Sequence, residues 1–106
     1  MAKFLVKGNY TAEGLKGLQK DKASGRRAAV ASACEGLGGK LDAFYVSLGG
    51  HDVILVVDLP STQAVVSLCT AASSSGLVRT KTTALLSVEE ADQALAKQVA
   101  YRAPGR

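Results

Sequence analysis

Two strand-like runs, Lys40 to Leu48 and Asp52 to Leu59, are separated only by Gly49-Gly50-His51. So short a linker, with two glycines in it, joins strands as an antiparallel hairpin, because a parallel crossover needs about a dozen residues or more. Everything else in the chain has to be arranged around that hairpin. Upstream, Lys3 to Tyr10 sets Phe4, Val6 and Gly8 against Lys3, Leu5 and Lys7, the period of two expected of a strand. Between this strand and the hairpin, Thr11 is placed to cap a helix with Glu13 in its first turn. Val30, Cys34 and Leu37 continue the apolar side of that helix at i, i+4, i+7, Ser24-Gly25 predicts a kink, and Gly38-Gly39 predicts its end.

Downstream of the hairpin, Pro60-Ser61 opens a second helix whose apolar stripe is Ala64, Val65, Leu68, Cys69 and Ala72, and Ser73-Ser74-Ser75-Gly76 closes it. Leu77 to Leu86 is rich in Val and Thr and predicts a fourth strand. Ser87-Val-Glu-Glu90 has capping-box spacing, which starts a third helix expected to run to about Ala100. The order is β-α-β-β-α-β plus a helix, the split arrangement of an α+β ferredoxin-like fold with a four-stranded antiparallel sheet. Residues 1–100 are read as one domain and residues 101–106, with Pro104-Gly105 and two arginines, as a flexible tail.

Two helices cover one face of such a sheet, so the opposite face must meet water or another chain. Alternation assigns to it Lys3, Leu5, Lys7, Leu41, Ala43, Tyr45, Ser47, Asp52, Ile54, Val56, Arg79, Lys81 and Thr83. Leu5, Leu41, Tyr45, Ile54 and Val56 would form an apolar patch too large for a monomer's surface, while the charges among them imply polar contacts as well. Self-association through this face, as a homodimer or higher oligomer, satisfies both.

Charge and composition narrow the partners. Residues 1–40 carry eight basic against three acidic side chains, residues 41–96 two against six, and residues 97–106 three against none. The densest basic pair is Arg26-Arg27, and with aromatics at 5% there is no stacking platform, so no nucleic-acid partner is expected. Val53 to Val57 is the longest uncharged apolar stretch within one element, far short of a membrane span. Met1-Ala2-Lys3 runs directly into the first strand with no signal-peptide pattern, which predicts a cytoplasmic protein with reduced Cys34 and Cys69.

Chemistry-bearing residues are sparse. His51 is the single imidazole, in the hairpin turn beside Asp52, where a carboxylate could orient it as a general base; a solvated turn residue is the simpler reading. Lys7, Tyr45, Asp52 and Arg79 fall on the open face and, with His51, are the candidate ligand-binding residues. They form either interface ion pairs or, with Leu5, Ile54 and Val56, a pocket for a small apolar acid or carbonyl compound. Cys34 and Cys69 lie on apolar helix stripes and are expected to be structural. No spacing of His, Cys or carboxylates predicts a metal, no Gly-rich phosphate loop predicts a nucleotide, and no cofactor is expected.

The segments Lys7-Gly-Asn-Tyr-Thr-Ala-Glu-Gly-Leu-Lys-Gly-Leu18, Gly25-Arg26, Leu37-Gly-Gly-Lys-Leu41, Tyr45-Val-Ser-Leu-Gly-Gly-His-Asp-Val53, Asp58-Leu-Pro60 and Ser75-Gly-Leu-Val-Arg-Thr80 resemble the GYD-domain family. The resemblance spans about Lys3 to Ala91. It implies the dimeric α/β-barrel arrangement, in which the open sheet face packs on a partner's to close a barrel. The Gly-Tyr-Asp motif itself is here Gly50-His51-Asp52, so a role resting on a tyrosine at that position does not carry over. The expected function is a homo-oligomeric small-molecule-binding or interaction module with its pocket on the open sheet face. The alternative is a cofactor-free enzyme, monooxygenase-, cyclase- or isomerase-like, acting on a small carbonyl or phenolic substrate with His51 or Asp52 as base.

Overall fold

A computed structural model describes residues 1–106. The elements are β1 (Ala2–Tyr10), α1 (Ala12–Gly36), β2 (Lys40–Val46), β3 (Val53–Leu59), α2 (Thr62–Ser74), β4 (Val78–Leu85) and α3 (Val88–Leu95). The sheet order is β2-β3-β1-β4 with every pairing antiparallel, the ferredoxin-like topology. Three caps set the helix starts: the hydroxyls of Thr11, Ser61 and Ser87 accept from the N–H groups of Gly14, Ala64 and Glu90. Ser87 and Glu90 complete a reciprocal capping box.

The core lies between the sheet and the two long helices. Phe4 and Val6 of β1 and Val53, Leu55, Val57 and Leu59 of β3 meet Cys34 from α1 and Val65 from α2. The two central strands supply most of it because each has neighbours on both sides as well as a helix above. α1 lies chiefly over β2 and α2 over β4. Between the helices runs a cleft of about 320 Å³, lined by Tyr10, Leu18, Ala71, Ala72 and Leu77 among others.

Two local departures from simple periodicity matter. The register of β2 against β3 shifts between Leu41 and Ala43, so that Leu41 opposes Val57 while Ala43 opposes Val56. Asp42 is the extra residue of a bulge, and it moves Leu41 from the open face, where alternation assigns it, to the helix side, where it packs on the core. The break in α1 falls at Lys22 (φ 64°, ψ 168°) rather than at Ser24-Gly25. Gly25 still explains it: a β-carbon there would lie 3.1 Å from that of Asp21, so the missing side chain is what lets the chain double close across the break. An Arg26–Asp21 ion pair at 3.6 Å spans the same point.

α3 stands apart. It ends at Leu95, five residues before the expected Ala100, and none of its residues is buried. The chain measures 56 × 33 × 23 Å with a radius of gyration of 16.7 Å, against about 13 Å for a compact domain of this length. No helix is long and apolar enough to cross a membrane.

Candidate functional site on the open sheet face

The strand registers place the open-face side chains in rows that cross the sheet. Tyr45, Ile54, Lys7 and Lys81 form one row, on β2, β3, β1 and β4 in turn; Ala43, Val56, Leu5 and Thr83 form the next. Beyond them, Lys3 opposes Asp58 and Leu85. The face is therefore graded along the strands. One end pairs Asp42 and Asp58 with Lys3 and Lys40, the middle is apolar, and the other end holds Lys7, Lys81 and Arg79.

At the ion-paired end, the Lys3 ammonium pairs with Asp42 and, at 3.3 Å, with Asp58, and Lys40 lies 3.9 Å from Asp42. The hydrogen bond to Asp42, delivered by the β2 bulge, is the main reason the Lys3 pKa lies above the usual lysine value. Asp58 is buried, and its second carboxylate oxygen, Oδ1, has no hydrogen-bond partner.

At the other end, β1 and β4 set Lys7 directly opposite Lys81 and Asn9 opposite Arg79. The β2–β3 hairpin folds its tip against the end of β1. Asn9 Nδ2 donates to the Gly50 carbonyl at 2.9 Å, and Asn9 Oδ1 lies 2.9 Å from His51 Nδ1. A carbonyl only accepts, so the amide nitrogen must face Gly50 and the amide oxygen must face His51. Nδ1 of His51 therefore carries a proton, and Nε2 is the nitrogen left for another partner. Asp52 clamps the same junction, its N–H donating to Gly8 O and its carboxylate Oδ2 accepting from the Tyr10 N–H, both at 2.9 Å.

The result is a hollow of about 270 Å³ lined by Lys7, Asn9, Gly50, His51, Arg79, Thr80 and Lys81, with no hydrophobic residue among them. Of the residues singled out from sequence, Lys7, His51 and Arg79 meet here. Tyr45 does not: it shares a row with Lys7 but lies two strands away on β2 and is well exposed. Asp52 is also outside the lining, with its carboxylate engaged by the backbone of β1. Sequence reading missed Asn9, Thr80 and Lys81 as site residues. Arg79-Thr-Lys81 carried the signal for Lys81, since residues two apart on a strand share a face. Nothing comparable marked Asn9, whose role depends on where the hairpin tip lands.

Chemically, the hollow gathers three cationic side chains. None of Lys7, Arg79 and Lys81 takes part in any ion pair of the chain. The Arg79 guanidinium offers a planar fork for a carboxylate or phosphate, and two ammonium groups add charge without directional demand. The thiols lie elsewhere. Cys34 is fully buried under α1, where burial pushes its pKa up, and Cys69 Sγ lies 3.3 Å from Thr82 Oγ1.

A GYD domain family model matches residues 4–95, almost the whole ordered fold from β1 to the end of α3. The chain belongs to the GYD-domain family. No curated protein and no solved structure shows significant similarity to it. In this GYD domain Gly50-His51-Asp52 form the hairpin tip: Gly50 and His51 through Asn9, and Asp52 through Gly8 and Tyr10, tie it to β1.

Proposed function

We propose that this GYD domain is a homo-oligomeric binding module that recognises a small anionic ligand, a carboxylate or phosphate, in the hollow at the hairpin end of its open sheet face. The observation that carries this reading is the direct cross-strand opposition of Lys7 and Lys81, with Arg79 diagonal to Lys7 and no carboxylate paired to any of them. Like charges directly opposite one another destabilise a sheet, and a bound anion removes that cost. The hollow offers one imidazole, no carboxylate and no thiol, which favours binding over turnover. Self-association rests on the apolar middle of the same face, where Leu5, Ile54 and Val56 have no helix over them.

The test is calorimetric titration of inorganic phosphate into the full-length protein and into Arg79→Ala. Saturable binding that weakens with salt is expected for the parent protein, and a loss of about tenfold or more for the variant, as removal of a charge-assisted hydrogen bond entails. Equal affinity in both, with the circular dichroism of the two unchanged, sinks the reading.

A further inference from the structure

His51 is the one imidazole of the chain, and the hairpin tip that carries it fixes which of its nitrogens a ligand meets. Asn9 is held from both ends. Its amide nitrogen donates to the Gly50 carbonyl, so its amide oxygen is what stands 2.9 Å from His51 Nδ1. An amide oxygen only accepts, which puts the single proton of the neutral ring on Nδ1 and leaves Nε2 with a bare lone pair. No carboxylate competes for the ring: Asp52, next in sequence, accepts from the Tyr10 N–H, and His51 takes part in no ion pair. His51 and Asn9 both line the hollow with Lys7, Arg79 and Lys81. With Nδ1 spent on Asn9, Nε2 is the nitrogen this lining residue has to offer.

The hollow is thus more than a cationic patch. Lys7, Lys81 and Arg79 are donors only, since ammonium and guanidinium groups have no lone pair to give, and against them the ring sets one acceptor. Sulfate and monohydrogen phosphate separate under these demands. Both are tetrahedral dianions of nearly the same size, and three oxygens of either accept from the three cations. The fourth oxygen of hydrogen phosphate carries a proton that Nε2 accepts. In sulfate it is another acceptor, and an anionic oxygen is set against the Nε2 lone pair. A carboxylate brings two oxygens and no proton.

We propose that His51, with its tautomer set by Asn9, makes the hollow selective for a tetrahedral oxyanion that keeps one proton, hydrogen phosphate, over fully deprotonated anions such as sulfate. A site built to pair with an O–H discriminates strongly against the analogue that lacks it, because its own polar group is then left unpaired. Lys7, Lys81 and Arg79 hold the charge, His51 selects among anions of equal charge, and Asn9 is a positioning residue. The proposal rests on the reading of the hollow as an anion site and names the class of anion.

Because the chain has a single histidine, ¹⁵N labelling of imidazole gives one ring with no assignment to make. Long-range ¹H–¹⁵N correlation of the full-length protein at about pH 8 should show Nδ1 protonated and Nε2 bare; a ring protonated at Nε2 overturns the proposal. Calorimetric titrations at the same pH, where inorganic phosphate is chiefly the monohydrogen dianion, then compare phosphate with sulfate at matched ionic strength. Phosphate should bind about tenfold tighter or more, the fold-change carried by one hydrogen bond to a charged group. His51→Phe should bring the ratio of the two affinities close to one, whereas a disturbed shape alone weakens both anions and leaves the ratio where it was. Equal binding of the two anions by the parent protein, or a ratio that survives His51→Phe, overturns the selection and leaves the anion site standing. Binding of neither anion overturns both.

Discussion

Gly14 sits flush against the backbone of Leu77: a β-carbon at position 14 would stand 2.0 Å from the Leu77 carbonyl oxygen. The same oxygen accepts the Thr11 N–H at 2.9 Å, so the first turn of α1 is fastened onto the chain entering β4. Gly14→Ala must force these backbones apart and is expected to cost about 3 kcal/mol. Gly17, one turn later, has open space where a β-carbon would go, and Gly17→Ala should stabilise by roughly 0.5–1 kcal/mol through helix propensity. Urea unfolding of the two variants reads both signs.

Ile54 lies between Tyr45 and Lys7 in the middle of the uncovered face. Ile54→Lys introduces a third ammonium into that row and into any desolvated sheet-to-sheet contact, and should weaken self-association at least tenfold without unfolding the chain. Sedimentation equilibrium of the two proteins checks it; a parent protein that is monomeric at micromolar concentration would overturn the interface.

Glu90 couples α3 to pH. Its carboxylate accepts the Ser87 backbone N–H at 3.0 Å, which is the leading reason its pKa lies below the ordinary 4.5. A carboxylate with a lowered folded-state pKa contributes stability that is complete above the unfolded value and disappears as pH falls through the folded one. α3 should therefore fray as pH drops below about 4.5, ahead of the sheet. Amide chemical shifts of residues 88–95, followed from pH 6 to pH 3, report it. Glu90→Gln should retain most of the cap and lose the pH dependence.

Thiol chemistry should separate the two cysteines. Cys34 is fully buried and its thiol is held protonated by its surroundings, whereas Cys69 is only partly covered. A disulfide reagent applied to the native protein is expected to modify Cys69 first and Cys34 only on unfolding. Cys34→Ala should cost about 1 kcal/mol through lost packing and leave phosphate binding unchanged, since Cys34 lies on the other side of the sheet.

The element order was legible because hairpin length, caps and apolar period all act locally: the three cap residues and the glycines after α1 could be recognised from a few neighbours each. The Asp42 bulge was not, since one extra residue leaves the apolar pattern of β2 intact while reversing the side on which Leu41 lies. Nor was the site legible as a whole. Lys7, His51 and Arg79 are identifiable as polar residues on or beside one sheet face, but what gathers them is the landing of the hairpin tip on Asn9. That contact joins segments some forty residues apart in sequence. Asp52 shows the converse, a carboxylate placed well for chemistry whose acceptor capacity serves the end of β1.

The Lys22 break has a consequence for how the molecule opens. A non-glycine residue at φ 64° holds its backbone at a cost of about 1–3 kcal/mol, and a helix interrupted in this way cannot pass cooperativity from one half to the other. Residues 23–36 are pinned through Cys34 in the core, while residues 12–21 bury only Gly14. The two halves are thus separate units of local unfolding. The N-terminal one, which forms a wall of the cleft between α1 and α2, is held at its first turn by the Thr11–Leu77 hydrogen bond; once that bond is given up, residues 12–21 can melt back to Lys22 and admit solvent to Tyr10 while the sheet, the hairpin tip and the hollow stay whole.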